Sequence, residues 1–213
     1  MDFLPPKIEE YAERFSSPET ELLTELNRYT HTNVLQPRML AGHLQGRVLA
    51  MISHMIQPKS VLEIGTYTGY SALCWAEGLQ SGGMVHTIDK NDELESKINA
   101  FLERSVYKDQ VSVYIGEALP IIQTMDETFD IVYIDADKEN YSHYYDAVID
   151  KVPIGGYIIA DNVLWSGKVL DSPKTMDFET KCLYNYAEPI KQDSRVEQVL
   201  LPIRDGLLIA RKI

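Results

Sequence analysis

The run Ser60-Val61-Leu62-Glu63-Ile64-Gly65-Thr66-Tyr67-Thr68-Gly69-Tyr70-Ser71 decides the fold. From Val61 to Ile64 it is apolar apart from Glu63 and carries the β-branched Val61 and Ile64, which is the composition of a strand buried on both faces. Gly65 to Gly69 then make a turn, and Tyr70 to Leu79 read as a helix. A glycine turn between the carboxyl end of a first strand and a helix exposes backbone N–H groups, and ligands of open α/β sheets sit there. The dinucleotide pattern GxGxxG is absent, because Gly65 and Gly69 stand four apart and no third glycine follows. That counts against an NAD-dependent oxidoreductase. Glu63 lies inside an apolar strand, so its carboxylate needs a partner or solvent to offset desolvation, and a cationic ligand would supply a partner.

Downstream, short apolar runs at Met84 to Ile88, Val111 to Ile115, Phe129 to Ile134 and Gly156 to Ala160 alternate with the amphipathic stretches Glu93 to Val106, Ala118 to Met125 and Glu139 to Val148. Repeated strand, helix, strand calls for parallel pairing with right-handed crossovers and helices on both faces. Upstream of Pro58, Leu22, Leu23 and Leu26 share one helical face, and Leu44, Val48, Leu49, Ile52 and Ile56 mark a second helix. At the other end, Val196 to Ile203 and Leu207 to Ile213 flank Arg204-Asp205-Gly206, a hairpin signal that predicts an antiparallel pair closing the sheet. With no linker or repeat in view, one domain over 1–213 is expected, with a helical cap at 1–57 and an α/β core at 58–213.

Composition narrows the function classes. At 213 residues, 45% hydrophobic and 24% charged, the chain is an ordinary globular one rather than disordered. Twenty Lys+Arg against 32 Asp+Glu give a net charge of -12, which opposes a nonspecific grip on nucleic acid or anionic membrane. Cys74 and Cys182 are far apart and lack CxxC spacing, so two buried thiols in a reducing cytoplasm are expected rather than a disulfide framework or thiolate zinc site. The start has no signal-peptide pattern, and the apolar stretch at 48–56 is far short of the roughly 20 residues that span a bilayer. A soluble, cytoplasmic protein is the expectation.

The chemistry concentrates at strand exits. Asp89 follows the second strand about 24 residues after Gly65, near the spacing of an acid that binds ribose hydroxyls, with a helix cap as the alternative. Gly116 and the small Ala118 after the third strand let a flat base approach backbone. The exits Ile134-Asp135-Ala136-Asp137-Lys138 and Ala160-Asp161-Asn162 give the sharpest signal. Parallel neighbours lie about 4.8 Å apart, so Asp135 and Asp161 can converge on one ion, with the Asn162 amide oxygen beside them. Oxygen donors without Cys or a His cluster suit a hard cation such as Mg²⁺. Lys138, three residues beyond Asp135, can face the same crevice and accept a proton from a hydroxyl. Singly, each acid has an ordinary reading as a cap and Lys138 as a solvated helix residue; together they point to catalysis.

Taken together, these motifs resemble the cation-dependent S-adenosylmethionine O-methyltransferases of the catechol and caffeoyl-CoA type, including their small bacterial members. The resemblance runs from Val61–Ser71 through Asp135-Ala136-Asp137-Lys138-Glu139-Asn140-Tyr141 to Asp161-Asn162-Val163-Leu164-Trp165. It implies a Rossmann-like fold with a seven-stranded, mostly parallel sheet whose last strand is antiparallel. It implies that Glu63, Gly65, Thr66, Ser71, Asp89, Ala118, Asp135 and Asp137 bind S-adenosylmethionine, with Met39 and Tyr144 closing over it. Asp135, Asp161 and Asn162 would hold a divalent cation, Mg²⁺ first with Mn²⁺ or Ca²⁺ as alternatives, and Lys138 would be the general base. The implied acceptor is a small hydroxylated aromatic molecule against Trp165, and the implied assembly is a homodimer. One departure stands out: Asp205-Gly206 is followed by Leu207-Leu208, where mammalian catechol enzymes carry a glutamate that contacts the second hydroxyl. Two other readings remain: methylation of a hydroxylated uridine in tRNA, using a patch such as Lys7, Arg14, Arg38 and Arg47, and a non-catalytic binding module. The Tyr141, Tyr144 and Tyr145 patch has packing as its plain reading, preferred for Tyr145.

Overall fold

The structure, a computed structural model, describes residues 5–213. Its contacts group into two compact units that divide between Ala118 and Leu119.

The first unit carries helices α1 (Pro6–Arg14), α2 (Glu21–Asn33) and α3 (Gly42–Ile56), then β1 (Ser60–Ile64), α4 (Tyr70–Ala76), β2 (Met84–Asp89), α5 (Glu95–Leu102) and β3 (Val111–Ile115). The strands lie β3-β2-β1, all parallel. Register pairs Glu63 with Thr87 and Ile64 with Ile88, so the exits of β1 and β2 are level. Val61, Leu62, Val85 and Ile88 are buried in the core, as a strand covered on both faces requires. The predicted cap helix α3 packs on α4: Ser53 Oγ donates to the Trp75 carbonyl at 2.6 Å. Gly78 allows that approach, since a Cβ there would lie 2.2 Å from the His54 nitrogen.

The second unit holds β4 (Ile131–Ile134), α7 (Tyr141–Val148), β5 (Tyr157–Ala160), α8 (Phe178–Gln192), β6 (Val196–Leu201) and β7 (Leu207–Lys212). A further helix, α6 (Ala118–Thr124), begins at the last residue of the first unit. The strand β5 runs parallel to β4, while β7 runs antiparallel between β5 and β6. The hairpin read from Asp205-Gly206 is therefore present. Two helices were not anticipated, α1 and α8; the sequence of α8 mixes polar residues through the turns and carries Pro189 inside, which ordinarily breaks a helix. The thiol expectation holds for Cys74, which is buried, but Cys182 on α8 is only partly so. Among the described residues no helix is long and apolar enough to cross a membrane.

Candidate active site

In the first unit the glycine turn follows β1. Gly65 and Gly69 both have positive φ, 107° and 86°, and Tyr67 between them is also left-handed at 50°. The side chain of Asp89 fastens this turn: its Oδ2 accepts from the Tyr67 nitrogen at 2.6 Å and its Oδ1 from the Asn91 nitrogen at 2.9 Å. Asn91, not Asp89, caps the following short helical turn by accepting from the Glu93 nitrogen. The helix-cap alternative for Asp89 thus gives way to a role at the turn. Glu63 is 0% exposed, and Thr87 donates to its Oε2 at 2.6 Å, with Thr66 Oγ1 2.6 Å from the same Thr87 hydroxyl. The carboxylate predicted to need a partner has one, and the Thr87 hydroxyl links it to Thr66 at the turn. Ser71 is half-buried in the first turn of α4, Ala118 is buried at the start of α6, and Met39 is exposed in the short turn Pro37–Met39.

In the second unit the exits of β4 and β5 are level, with Ile134 opposite Ala160, so Asp135 and Asp161 leave the sheet side by side. Lys138 opens the turn Lys138–Asn140 and is only 7% exposed. Its Nζ lies 2.8 Å from Asn162 Oδ1, 3.3 Å from Asp135 Oδ1 and 2.6 Å from the Tyr141 hydroxyl. An ammonium has three N–H donors and no acceptor, and here three oxygens receive them. Tyr141 has one proton, which it gives to the Asp161 carbonyl at 3.0 Å, so toward Lys138 its oxygen accepts. Burial first, then the nearby carboxylates of Asp135 and Asp161, hold the Tyr141 phenol well above its ordinary pKa, so it stays a donor. Asp161 is 2% exposed, with Oδ2 accepting from Tyr133 at 2.9 Å and Oδ1 from the Asn162 nitrogen at 2.6 Å. Asp137 is not a side-chain cap: its Oδ1 accepts from the Tyr144 hydroxyl at 2.7 Å and its Oδ2 from Asn140 Nδ2. Tyr145 packs as expected, buried against Tyr186 with its hydroxyl on Asp193.

Beyond Asn162 the chain is held in a left-handed path, with φ of 60° at Asn162, 45° at Trp165 and 53° at Ser166. Such backbone persists only where surroundings impose it. The β6–β7 turn does so: the Leu164 nitrogen donates to the Asp205 carbonyl at 2.8 Å and the Ser166 nitrogen to Asp205 Oδ1 at 2.5 Å. Gly206, at φ 91°, has no room for a Cβ, which would lie 2.6 Å from Leu164 Cγ. The strap leaves the Trp165 ring centre 5.6 Å from Lys138 Nζ, with the indole N–H buried and without a hydrogen-bond partner.

A profile of the O-methyltransferase family matches residues 13–213. The chain belongs to the O-methyltransferase family. Caffeoyl-CoA O-methyltransferase of Petroselinum crispum is 35% identical over 180 residues, covering 79% of this chain and 75% of that protein. Caffeoyl-CoA O-methyltransferase 1 of Arabidopsis thaliana is 33% identical over 180 residues, or 79% of this chain and 70% of that one. An O-methyltransferase from Bacillus cereus, solved in complex with SAH, matches with a TM-score of 0.90 at 29% identity over 97% of both chains. The fold is accordingly the Rossmann-like methyltransferase fold of seven strands, mostly parallel with β7 reversed.

A divalent cation fits the residues this O-methyltransferase brings to the β4 and β5 exits. Asp135 and Asn162 oxygens already converge on one positive centre, the Lys138 amine, and Asp161 adds a carboxylate at the adjoining position. No group of three or more His, Cys, Asp or Glu side chains suited to a metal lies among the described residues, so such an ion would depend on this mixed acid and amide set. The sequence reading missed two tyrosine hydroxyls here, Tyr133 on the Asp161 carboxylate and Tyr141 between Lys138 and the Asp161 carbonyl. Tyr141 sits three residues after Lys138, a spacing that brings side chains together in a helical turn, but a tyrosine in a helix reads first as packing. Tyr133 is inside β4 and gave no signal at all, since only the register to β5 brings it to Asp161.

Proposed function

We propose that this chain moves the methyl group of S-adenosylmethionine to a hydroxyl of a catechol-like or caffeoyl-like small molecule, with a divalent cation, Mg²⁺ first and Mn²⁺ or Ca²⁺ as alternatives. The observation that carries this reading is the convergence of Asp135, Asn162 and Lys138 beside Asp161 in a member of the O-methyltransferase family. On this reading Glu63, Gly65, Thr66, Ser71, Asp89 and Ala118 bind the donor, joined by Asp135, Asp137, Met39 and Tyr144. Asp135, Asp161 and Asn162 hold the cation, which when bound makes the acceptor hydroxyl more acidic. Lys138, once its ammonium has released a proton to solvent and become a neutral amine, takes the hydroxyl proton at Nζ. The acceptor oxygen then forms a bond to the methyl carbon as the carbon–sulfur bond breaks, leaving S-adenosylhomocysteine and no covalent enzyme intermediate. Orientation of the two reactants supplies much of the rate, and Trp165 is the flat wall against which the acceptor lies. A cytoplasmic homodimer belongs to the same reading and is checked by sedimentation of the purified chain.

The test is transfer of labelled methyl to catechol, to a caffeoyl acceptor and to bulk tRNA, with and without EDTA. Cation-dependent product on a small diol is expected, and Asp161→Ala should lose at least about a hundredfold in turnover while remaining folded. Retained, EDTA-insensitive methylation by Asp161→Ala would overturn the cation role. Transfer to tRNA alone would overturn the acceptor class.

A further inference from the structure

Every N–H of the Lys138 ammonium is spoken for in this structure, and two of its three acceptors, Asp135 Oδ1 and Asn162 Oδ1, are oxygens assigned above to the cation. The amine and an arriving ion therefore contend for the same atoms. The third acceptor is different. Tyr141 is fully buried, its ring lies edge-on to Tyr186 at 5.4 Å, and its proton is committed to the Asp161 carbonyl at 3.0 Å. Its hydroxyl oxygen, 2.6 Å from Nζ, is the one partner of the amine that no ligand claims. We propose that Tyr141 is the positioning residue of Lys138: its hydroxyl keeps the amine beside the acidic exit when a divalent cation takes Asp135 and Asn162, and limits how strongly that amine competes with the cation. The inference rests on the function proposed above.

Without the hydroxyl, Lys138 leans on Asp135 and Asn162 alone. A cation must then displace an amine with nowhere to go, and in the loaded enzyme the amine loses its fixed place near the acceptor. The effect acts through Lys138, so it disappears when Lys138 is absent. A purely structural loss would persist.

The experiment titrates Mn²⁺ by calorimetry into wild type, Tyr141→Phe, Lys138→Met and the double variant, and measures kcat and KM for those that turn over. Tyr141→Phe should weaken Mn²⁺ binding about threefold to tenfold and lower kcat by about tenfold or more, with KM for S-adenosylmethionine within about twofold. In the Lys138→Met background the same substitution should leave the Mn²⁺ dissociation constant unchanged. Equal weakening in both backgrounds, or wild-type Mn²⁺ binding and kcat in Tyr141→Phe, would overturn the inference. If Lys138→Met itself keeps full turnover, the function proposed for Lys138 fails instead, and the calorimetric cycle still reports on Tyr141. Should Tyr141→Phe not fold, a crystal structure of the wild type with Mn²⁺ and S-adenosylhomocysteine decides the matter. The Lys138–Tyr141 contact must persist there while Nζ moves off Asp135 and Asn162, and a Tyr141 hydroxyl left without the amine would reject the proposal.

Discussion

Lys138 can be buried because its charge is met by three oxygens, and a buried ammonium without such partners would be costly. The same logic separates the two thiols. Cys74 is fully enclosed, and burial pushes its thiol well above the ordinary value, whereas Cys182 on α8 is partly exposed and raised for the same reason to a lesser extent. A thiol-reactive disulfide reagent at pH 8 is expected to titrate one thiol, slowly, in the native protein and both in guanidinium. Two native equivalents would contradict the enclosure of Cys74. At this scale the acids were legible in the sequence because a charged residue in or just after an apolar strand stands out; Glu63, Asp135 and Asp161 are of that kind. Tyr133 and Tyr141 were not, because an aromatic residue in such a strand or helix is the ordinary choice for packing, and its hydroxyl is revealed only by what lies opposite.

Elements were legible where local signals agree. β1 and β3 fall at the bounds read from hydrophobic runs, and α3, α4 and α6 begin within two residues of expectation or end within three. The length of α2 and the existence of α1 and α8 were not, and α2 and α8 are marked instead by their caps. Thr20 accepts from the Leu23 nitrogen, and Asp177 accepts from the Thr180 nitrogen at 2.8 Å while pairing with Lys168 at 2.8 Å. The Lys168 hydrogen bond first, then those from Thr180, hold the Asp177 carboxyl far below the ordinary carboxylate range. Its charged form therefore contributes to stability above the unfolded pKa, and that contribution is lost as pH falls through the folded value. Asn is an equally good cap, so Asp177→Asn removes the charge and keeps the cap. The variant should melt slightly below wild type at pH 7, with the gap narrowing as pH drops below about 4 and in high salt. A gap that grows on acidification, measured by calorimetric melting, would contradict the assignment of Lys168 as the partner.

Over the whole chain, composition and strand alternation were enough for fold class, and the reversed β7 was announced by Asp205-Gly206 between two apolar runs. The division at Ala118–Leu119 was not, because no shift in composition marks it. Charge is the property of the molecule that bears on the acceptor. A net charge of -12 attracts a sulfonium donor and repels a polyanion, and one cation of the patch considered for RNA is already committed: Arg47 is bound to Glu77 at 2.6 and 2.8 Å. Raising salt from about 50 to about 500 mM shortens the screening length severalfold, so long-range attraction of the donor weakens while contacts to a neutral diol do not. KM for S-adenosylmethionine should therefore rise a few-fold over that range, and KM for a neutral vicinal diol should stay within about twofold. An RNA acceptor held by phosphate contacts would instead lose affinity by orders of magnitude over the same interval, because each neutralised phosphate adds close to one unit to the log–log salt slope. A flat donor KM together with a steep acceptor KM would mean that the site binds a polyanion through a local basic surface, despite the acidity of the chain.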